Sequence, residues 1–547
     1  MPLPWRRRLL ASHPASLAAV LALFAALTVV MTWPQARQLA THAADHQDVY
    51  FNMWRLGWFA HALASAPSAI FDGNIFYPEK DTLTFSDAMI VEGLVAAPLL
   101  WMGMRPVLVH NLLLLGAVVA SAMGMYVLVE RLTRDRGSAV VAGIIFAFAP
   151  YRFEHYMHME LQWTVWMPWA FWAVHRTIDS GRLRHGLLAG AFVALQVLSS
   201  VYYGIFLATV LPLVGGLLLL GLKRPDALRA LRALALGGVL AAMIASLYAM
   251  PYLETKKRVG ARSEDEIATF SARPYDYLTV TQNNRIYADV FPGRPERRLF
   301  PGTLPLLLAM TGVFLRQPTR AALVYLIALI AAFEMSLGIH GYAYLFLYDH
   351  VPVFSGLRAP ARLGIFVIMF LAVLAAYGYT VLREAIPSAA RRALPVLVPC
   401  VLLLEYFVAP LQLVPYDNSP PQVYEFLDRL PPGVVAEFPA PTGGGLPGPE
   451  ARYAYMSTFH WKPLVNGYSG FYPPSYLRRL RALRSFPDTH SLEYLRRTGV
   501  TYLVVHVSSY ETTRGGEVLL ALQTFPDVRV LARFKDGDDT DVVYELQ

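Results

Sequence analysis

Apolar residues come in long blocks along this chain, separated by short basic stretches, and not at the regular amphipathic periods of a soluble fold. The blocks lie near 17–34, 107–130, 138–151, 160–178, 186–202, 204–222, 233–251, 302–316, 320–338, 363–382 and 394–412. Most approach the roughly 17–25 residues that a bilayer-crossing helix needs, and together they predict a polytopic α-helical membrane protein with about 11 transmembrane helices. The loops test that count. Arg131, Arg134 and Arg136, Arg182 and Arg184, Lys223 and Arg224, Arg316 and Arg320, and Arg383, Arg391 and Arg392 all fall on one side of the resulting topology. With the N-terminus inside, that side is cytoplasmic, as the positive-inside rule requires.

Arg6-Arg7-Arg8 precede the first block, and no small-x-small cleavage pattern follows it. The block therefore reads as a retained first span and not as a signal peptide. The apolar run 88–102 is different. As a full span it would place the arginines at 131–136 outside, so it is expected to be a re-entrant or interfacial helix on the outer side.

From 413 onward the pattern changes. Strand-like runs at Val434–Pro439, Thr501–Val507, Val528–Phe534 and Asp541–Leu546 alternate with helical patterns at Pro421–Leu430, Pro474–Phe486, Ser491–Thr498 and Glu517–Phe525. Gly499 is placed as a helix C-cap, Asp536-Gly537-Asp538 as a hairpin turn, and the Gly- and Pro-rich 440–450 as a mobile loop. The expected division is a transmembrane domain over 1–412, with outer loops 35–106 and 252–300, and a small extracytoplasmic α/β domain over 413–547, so that the C-terminus is out.

Composition agrees with a membrane class: 55% of the 547 residues are hydrophobic and 16% charged. The net charge of +8 reflects arginines flanking spans, so it marks topology and not nucleic-acid binding. Cys400 is the only cysteine, which excludes an intramolecular disulfide. No Gly-rich phosphate-cradling loop with a lysine is present, which argues against a nucleotide-driven cytoplasmic machine.

The residues that carry chemistry then share the outer face. Asp45 and Asp48 follow the first span and open a stretch in which Tyr50, Trp54, Trp58 and His61 recur at helical spacing. This predicts an amphipathic helix at the water–lipid boundary. Asp48 either caps that helix or acts as a base on an acceptor hydroxyl, or helps hold a divalent metal. Asp87 and Glu92, on the second outer helix, and Trp54 are candidates to line the same cavity. His155 and His158, at i and i+3, are possible site-lining groups or metal ligands, without a full ligand set in view. Arg152, Arg358 and Arg362 suit a donor phosphate, because guanidinium binds phosphate bidentately and stays charged in a partly dry cleft. For Arg358 and Arg362 the bland alternative is snorkelling to lipid headgroups. Tyr202 and Tyr203 read as interfacial anchors. Glu334 and Glu405 are the acids nearest to span interiors.

The order of a first span, an outer loop with acids at its start, a Trp-bearing helix and a second outer helix resembles the GT-C superfamily of integral-membrane glycosyltransferases. Three stretches resemble bacterial members of a multi-span glycosyltransferase-like group: Asn74-Ile75-Phe76-Tyr77-Pro78 with Thr82–Asp87, Phe148-Ala149-Pro150-Tyr151-Arg152-Phe153, and Ser355–Arg362. The resemblance implies an inverting transferase in a bacterial inner membrane, using a polyprenyl-phosphate-linked sugar and an extracytoplasmic glycan, lipid or protein acceptor. It assigns catalysis to Asp48, with Asp45 as the second acid. That pair is separated by two residues here, where the family's acids are adjacent or one residue apart. The absence of Trp-Trp-Asp-Tyr-Gly argues against an oligosaccharyltransferase. Two alternatives from other classes are a non-catalytic protein that binds or translocates a lipid-linked glycan, and a transporter. The second would place charges or broken helices at mid-membrane.

Overall fold

The computed structural model describes residues 14–260, 262–315, 317–416, 419–442, 446–510, 513–536 and 539–547. Arg6–Arg8, Arg316, the centre of the 440–450 loop and the turn at Gly537-Asp538 lie outside the described residues. The chain forms two compact units. One comprises Met1–Gln38, Leu112–Leu247 and Ala261–Gln412; the other comprises Leu39–Asn111, Tyr248–Gly260 and Leu413–Gln547.

The first unit is helical, and helices form where the apolar blocks predict them: Pro14–Met31, Arg136–Phe148, Trp166–Ser180, Leu183–Ser199, Val201–Leu219, Thr303–Phe314, Arg320–Ser336, Gly364–Ala385 and Leu394–Glu405. Gly364–Ala385 is buried from Gly364 to Ala376. It packs against Arg136–Phe148, Thr303–Phe314 and Arg320–Ser336. Small residues let backbones approach where helices cross, as is usual between membrane helices. Gly186 and Gly190 form a G-x-x-x-G pair, and a Cβ on Gly190 would lie 1.9 Å from the Gly237 carbonyl oxygen. Among the described residues, four helices are long and apolar enough to cross a membrane: Pro106–Thr133, Val201–Leu219, Arg224–Val259 and Pro360–Ala385. The apolar window of Arg224–Val259 is only 22% buried, and Leu231, Leu236, Val239, Met243 and Leu247 stand uncovered. A soluble protein would not leave such a stripe exposed.

The two acids near span interiors both cap helices. Glu405 accepts from the backbone N–H groups of Thr303 and Leu304, the latter at 3.1 Å, at the start of Thr303–Phe314. Glu334 accepts from Tyr342 and Ala343 at the start of Ala343–His350. Each places negative charge on a helix N-terminus, where the dipole favours it.

The second unit is built around a sheet. Strand β1 (His42–Ala44) pairs antiparallel with β2 (Leu413–Pro415). Strands β3 (Val434–Phe438), β4 (Val500–His506), β5 (Val528–Asp536) and β6 (Asp539–Leu546) form a four-stranded sheet in the order β3-β4-β6-β5. The β3–β4 pair is parallel and the others antiparallel. Helices Thr489–Arg497 and Arg514–Leu522 supply Leu492, Leu495, Val518 and Leu522 to the core below it. Gly499, at φ +84°, ends the first of these helices in the left-handed conformation that glycine adopts without strain.

Residues 464–466 join this sheet to the first outer loop. Leu464 bridges Val435 in parallel, donates its N–H to the Asn74 carbonyl at 2.7 Å, and accepts from Tyr77 at 2.9 Å. Asn466 accepts from Phe76 at 2.9 Å. The predicted aromatic helix runs Gln47–Ser65 and packs on Ile90–Trp101 and Glu450–Met456. Its expected place at a lipid boundary does not hold for Trp54, which is fully buried and donates its indole N–H to Asn74 at 3.0 Å. Trp58 likewise donates to the Ile70 carbonyl at 2.8 Å. The helix is covered by protein on most sides, so packing and not lipid fixes its tryptophans.

Candidate functional site

In the second unit, the chain leaves β1, turns through Asp45 and enters the helix Gln47–Ser65. The turn is tied by Tyr416, whose hydroxyl donates to the Ala44 carbonyl at 2.7 Å and whose ring lies 4.5 Å from that of Tyr50. The capping position belongs to His46 and not to Asp48: His46 Nδ1 accepts the Asp48 backbone N–H at 3.1 Å. Asp48 is therefore the second residue of the helix, with its side chain 16% exposed and one oxygen 3.4 Å from His46 Nδ1. Its Oδ1 accepts from the Tyr468 hydroxyl at 2.7 Å. Burial, followed by the neighbouring Asp48 charge, raises the Tyr468 phenol well above its ordinary range, so Tyr468 is a donor throughout the physiological range. Asp45 is exposed.

Tyr468 is delivered by buried polar groups. Glu450, wholly buried, accepts from Asn466 Nδ2 at 3.0 Å and from the Gly467 N–H at 2.6 Å. Asn466 in turn accepts from the Glu437 N–H at 2.8 Å and donates to the Glu437 carbonyl at 3.0 Å. Burial pushes the Glu450 carboxyl up to about 7, against the opposing pull of those hydrogen bonds. Nearby, Arg55 is buried and donates to the Asp87 carbonyl at 2.8 Å. Asp87 itself is 7% exposed and Glu92 fully buried.

The first unit holds a separate group of charges. Pro150–Glu154 is a single helical turn that places Arg152 inward and leads to His155 and His158. His155 is 1% exposed, and its Nδ1 lies 4.0 Å from Glu296 Oε2; His158 Nε2 lies 3.9 Å from Glu296 Oε1. Arg362 clamps the same carboxylate through Nε at 3.2 Å and Nη2 at 3.0 Å, and its guanidinium stacks 4.8 Å over the Tyr202 ring. Burial alone would raise Glu296. The Arg362 guanidinium, paired and hydrogen-bonded to it, nevertheless holds it well below the usual carboxylate range. Burial pushes His155 down to about 3, so it is neutral.

The three candidate arginines differ in how far they are engaged. Arg152 is 2% exposed and donates to Thr164 Oγ1 at 2.7 Å and the Gln162 carbonyl at 3.1 Å. Arg362 is committed to Glu296. Arg358 is 30% exposed, 3.6 Å from Glu266, and lies over the Phe270 ring. Arg262 also reaches Glu266, at 2.9 Å, so two guanidiniums share one carboxylate there. Tyr203 is not a boundary anchor: it is fully buried and its hydroxyl lies 3.0 Å from that of Tyr151. Tyr202 accepts the Arg358 backbone N–H at 2.9 Å.

The geometry and the fold can be set beside known proteins. No family model and no curated protein matches the sequence. Solved structures do match. The arabinofuranosyltransferase AftD from Mycobacteria superposes with a TM-score of 0.62 at 16% identity, covering 96% of this chain and 41% of AftD. This chain thus spans about two fifths of that protein. The Archaeoglobus fulgidus oligosaccharyltransferase superposes with a TM-score of 0.51 at 12% identity, covering 91% of this chain and 70% of its own. Both are GT-C membrane glycosyltransferases. The chain has the GT-C fold. ArnT from Cupriavidus metallidurans, solved with undecaprenyl phosphate, aligns at a TM-score of 0.46 and 12% identity over 96% of this chain and 98% of ArnT. Helix Gln47–Ser65, which carries Asp48, follows the apolar helix Pro14–Met31 in chain order.

Two residues at these sites carry no sequence signal of their own. Glu296 sits in Arg294-Pro295-Glu296-Arg297-Arg298, where it reads as one acid in a basic loop. Tyr468 sits in Asn466-Gly467-Tyr468-Ser469-Gly470, which reads as a turn.

Proposed function

We propose that this chain is a membrane glycosyltransferase that moves a sugar from a polyprenyl-phosphate-linked donor to an extracytoplasmic acceptor in a bacterial inner membrane. In this reading the N-terminus is cytoplasmic, about 11 helices span the bilayer, and the C-terminal α/β part lies outside. The observation that carries it is Asp48. Its carboxylate is oriented by a 2.7 Å hydrogen bond from Tyr468, at the head of the helix after the first span, on a GT-C fold.

Asp48 takes the proton from the acceptor hydroxyl as its oxygen attacks the anomeric carbon. The bond from that carbon to the phosphate oxygen breaks, and the lipid phosphate leaves with the electron pair. Attack from the face opposite the leaving group gives inversion. A positioned carboxylate base contributes about 10²–10⁴-fold to such a step. Some of Arg152, Arg358 and Arg362 are assigned to the donor phosphate, and Arg358 is the most exposed of the three. Asp45 supports Asp48 from the exposed turn.

The test is Asp48→Asn, with Asp45→Asn beside it, in a strain whose surface glycans are profiled. Asp48→Asn is expected to abolish the product and Asp45→Asn to reduce it. An unchanged profile in a well-expressed Asp48→Asn strain would falsify the catalytic role and favour a protein that only binds or translocates a lipid-linked glycan.

A further inference from the structure

We infer that His155, His158 and Glu296 form a binding site for one divalent transition-metal ion, Zn2+ by donor chemistry. One ligand atom from each residue lies within 4.8 Å of the others. The His–Glu separations of 4.0 and 3.9 Å are too long for hydrogen bonds. They run to the two oxygens of one carboxylate, and a closure of about 1 Å would bring the three groups onto one tetrahedral ion, whose donors lie roughly 3.3–3.6 Å apart.

A second, independent observation is His155 itself. It is 1% exposed, and neither ring nitrogen has a hydrogen-bond partner. A buried imidazole normally satisfies at least one nitrogen, because leaving it unmet costs about 1–3 kcal/mol. Coordination at Nδ1, which faces Glu296, removes that cost. Glu296 is held for the task. It has a left-handed backbone at φ +68°, unusual for a residue with a side chain, and such strain persists where the surroundings impose it. The Arg362 clamp fixes its carboxylate plane, as outer partners fix ligands at metal sites. A carboxylate offers about four lone-pair directions, so the clamp leaves room for an ion. Two imidazoles and one carboxylate are a donor set for Zn2+ and its first-row neighbours, and not for Ca2+ or Mg2+, which take oxygen. The set leaves a fourth position open.

The experiment uses the full chain, purified in detergent without a histidine tag and stripped with EDTA. ZnCl2 is added, excess is removed, and metal is counted by mass spectrometry. About one Zn2+ per chain is expected, with affinity at least about tenfold weaker in His155→Ala and in His158→Ala. Glu296→Gln also strips Arg362 of its carboxylate, so a second readout avoids reliance on that variant. CoCl2 added to the unaltered chain is expected to give the visible bands of a low-coordinate nitrogen- and oxygen-ligated ion, lost in His155→Ala. A folded wild-type chain that keeps no zinc and shows no cobalt bands overturns the site. So does binding that survives in the His155→Ala/His158→Ala double variant. Metal is counted without any transfer assay, so this result stands apart from the transferase reading.

Discussion

Glu450→Gln should change how the stability of the second unit depends on pH. Glu450 is wholly buried, and burial moves its carboxyl from 4.5 to about 7. A carboxyl with a raised native pKa is held protonated by the fold. Below about pH 4.5 it is protonated whether the unit is folded or not, and its full contribution is present. As pH rises towards 7 the unfolded chain ionises first, and stability is lost until the native group ionises as well. The interval between 4.5 and about 7 corresponds to about 3 kcal/mol, at roughly 1.4 kcal/mol per decade. Glutamine removes the ionisation and sacrifices one acceptor among the bonds from Asn466 and Gly467, which costs about 1 kcal/mol. The variant should therefore be about 1 kcal/mol less stable at pH 4 and about 2 kcal/mol more stable at pH 8. Hydrogen exchange of segment 450–468 in the full chain, taken as the variant-to-wild-type ratio at each pH, reads this locally. Exchange should be faster in the variant at low pH and slower at high pH. A ratio that stays constant from pH 4 to 8 would show that Glu450 ionises normally and that its burial does not act as described.

Tyr468→Phe removes the 2.7 Å donor to Asp48 and leaves the ring. A hydrogen bond to a charged group is worth about 1.5–3 kcal/mol, so kcat for transfer should fall by roughly 10- to 100-fold with KM little changed. An unaltered kcat would remove Tyr468 from the site. Gly190→Leu inserts a side chain where even a Cβ meets the Gly237 carbonyl at 1.9 Å. Overpacking of this kind costs about 1–3 kcal/mol, read as a lower melting temperature in detergent, whereas Gly116→Leu, where a Cβ meets nothing within 4 Å, should melt like wild type. Glu405→Gln weakens the capping of Thr303–Phe314, at a cost of about 0.5–2 kcal/mol in the same melt.

The helices were legible because apolar blocks are a coarse, one-dimensional signal, and each predicted block holds a helix. The candidate sites were legible only in part. Asp48 could be picked out because an acid beside a membrane span is costly and therefore informative. Whether it capped its own helix depended on a two-residue offset, which placed His46 at the cap. Trp54 is not a boundary residue because Asn74 takes its indole N–H and its helix packs on Glu450–Met456, segments remote in sequence. Glu296 shows the limit most clearly: three arginines around it hide the acid, and only the folded chain brings it to His155, His158 and Arg362. Long-range partners leave no local trace.

The strand-like segment 464–466 has a consequence for how the protein is made. It completes backbone bonding for residues 74–77, yet it is synthesised nearly four hundred positions later. At about 5–20 residues per second, the acid-bearing loop waits roughly 20–80 s between its own synthesis and the arrival of its partner. Phe51 and Phe76, which end against Tyr468 and Tyr476, are without their final cover throughout that interval. Asp48 likewise has no Tyr468 to orient it until almost the whole chain exists. The proposed catalytic carboxylate is thus completed late, although it is encoded near the beginning.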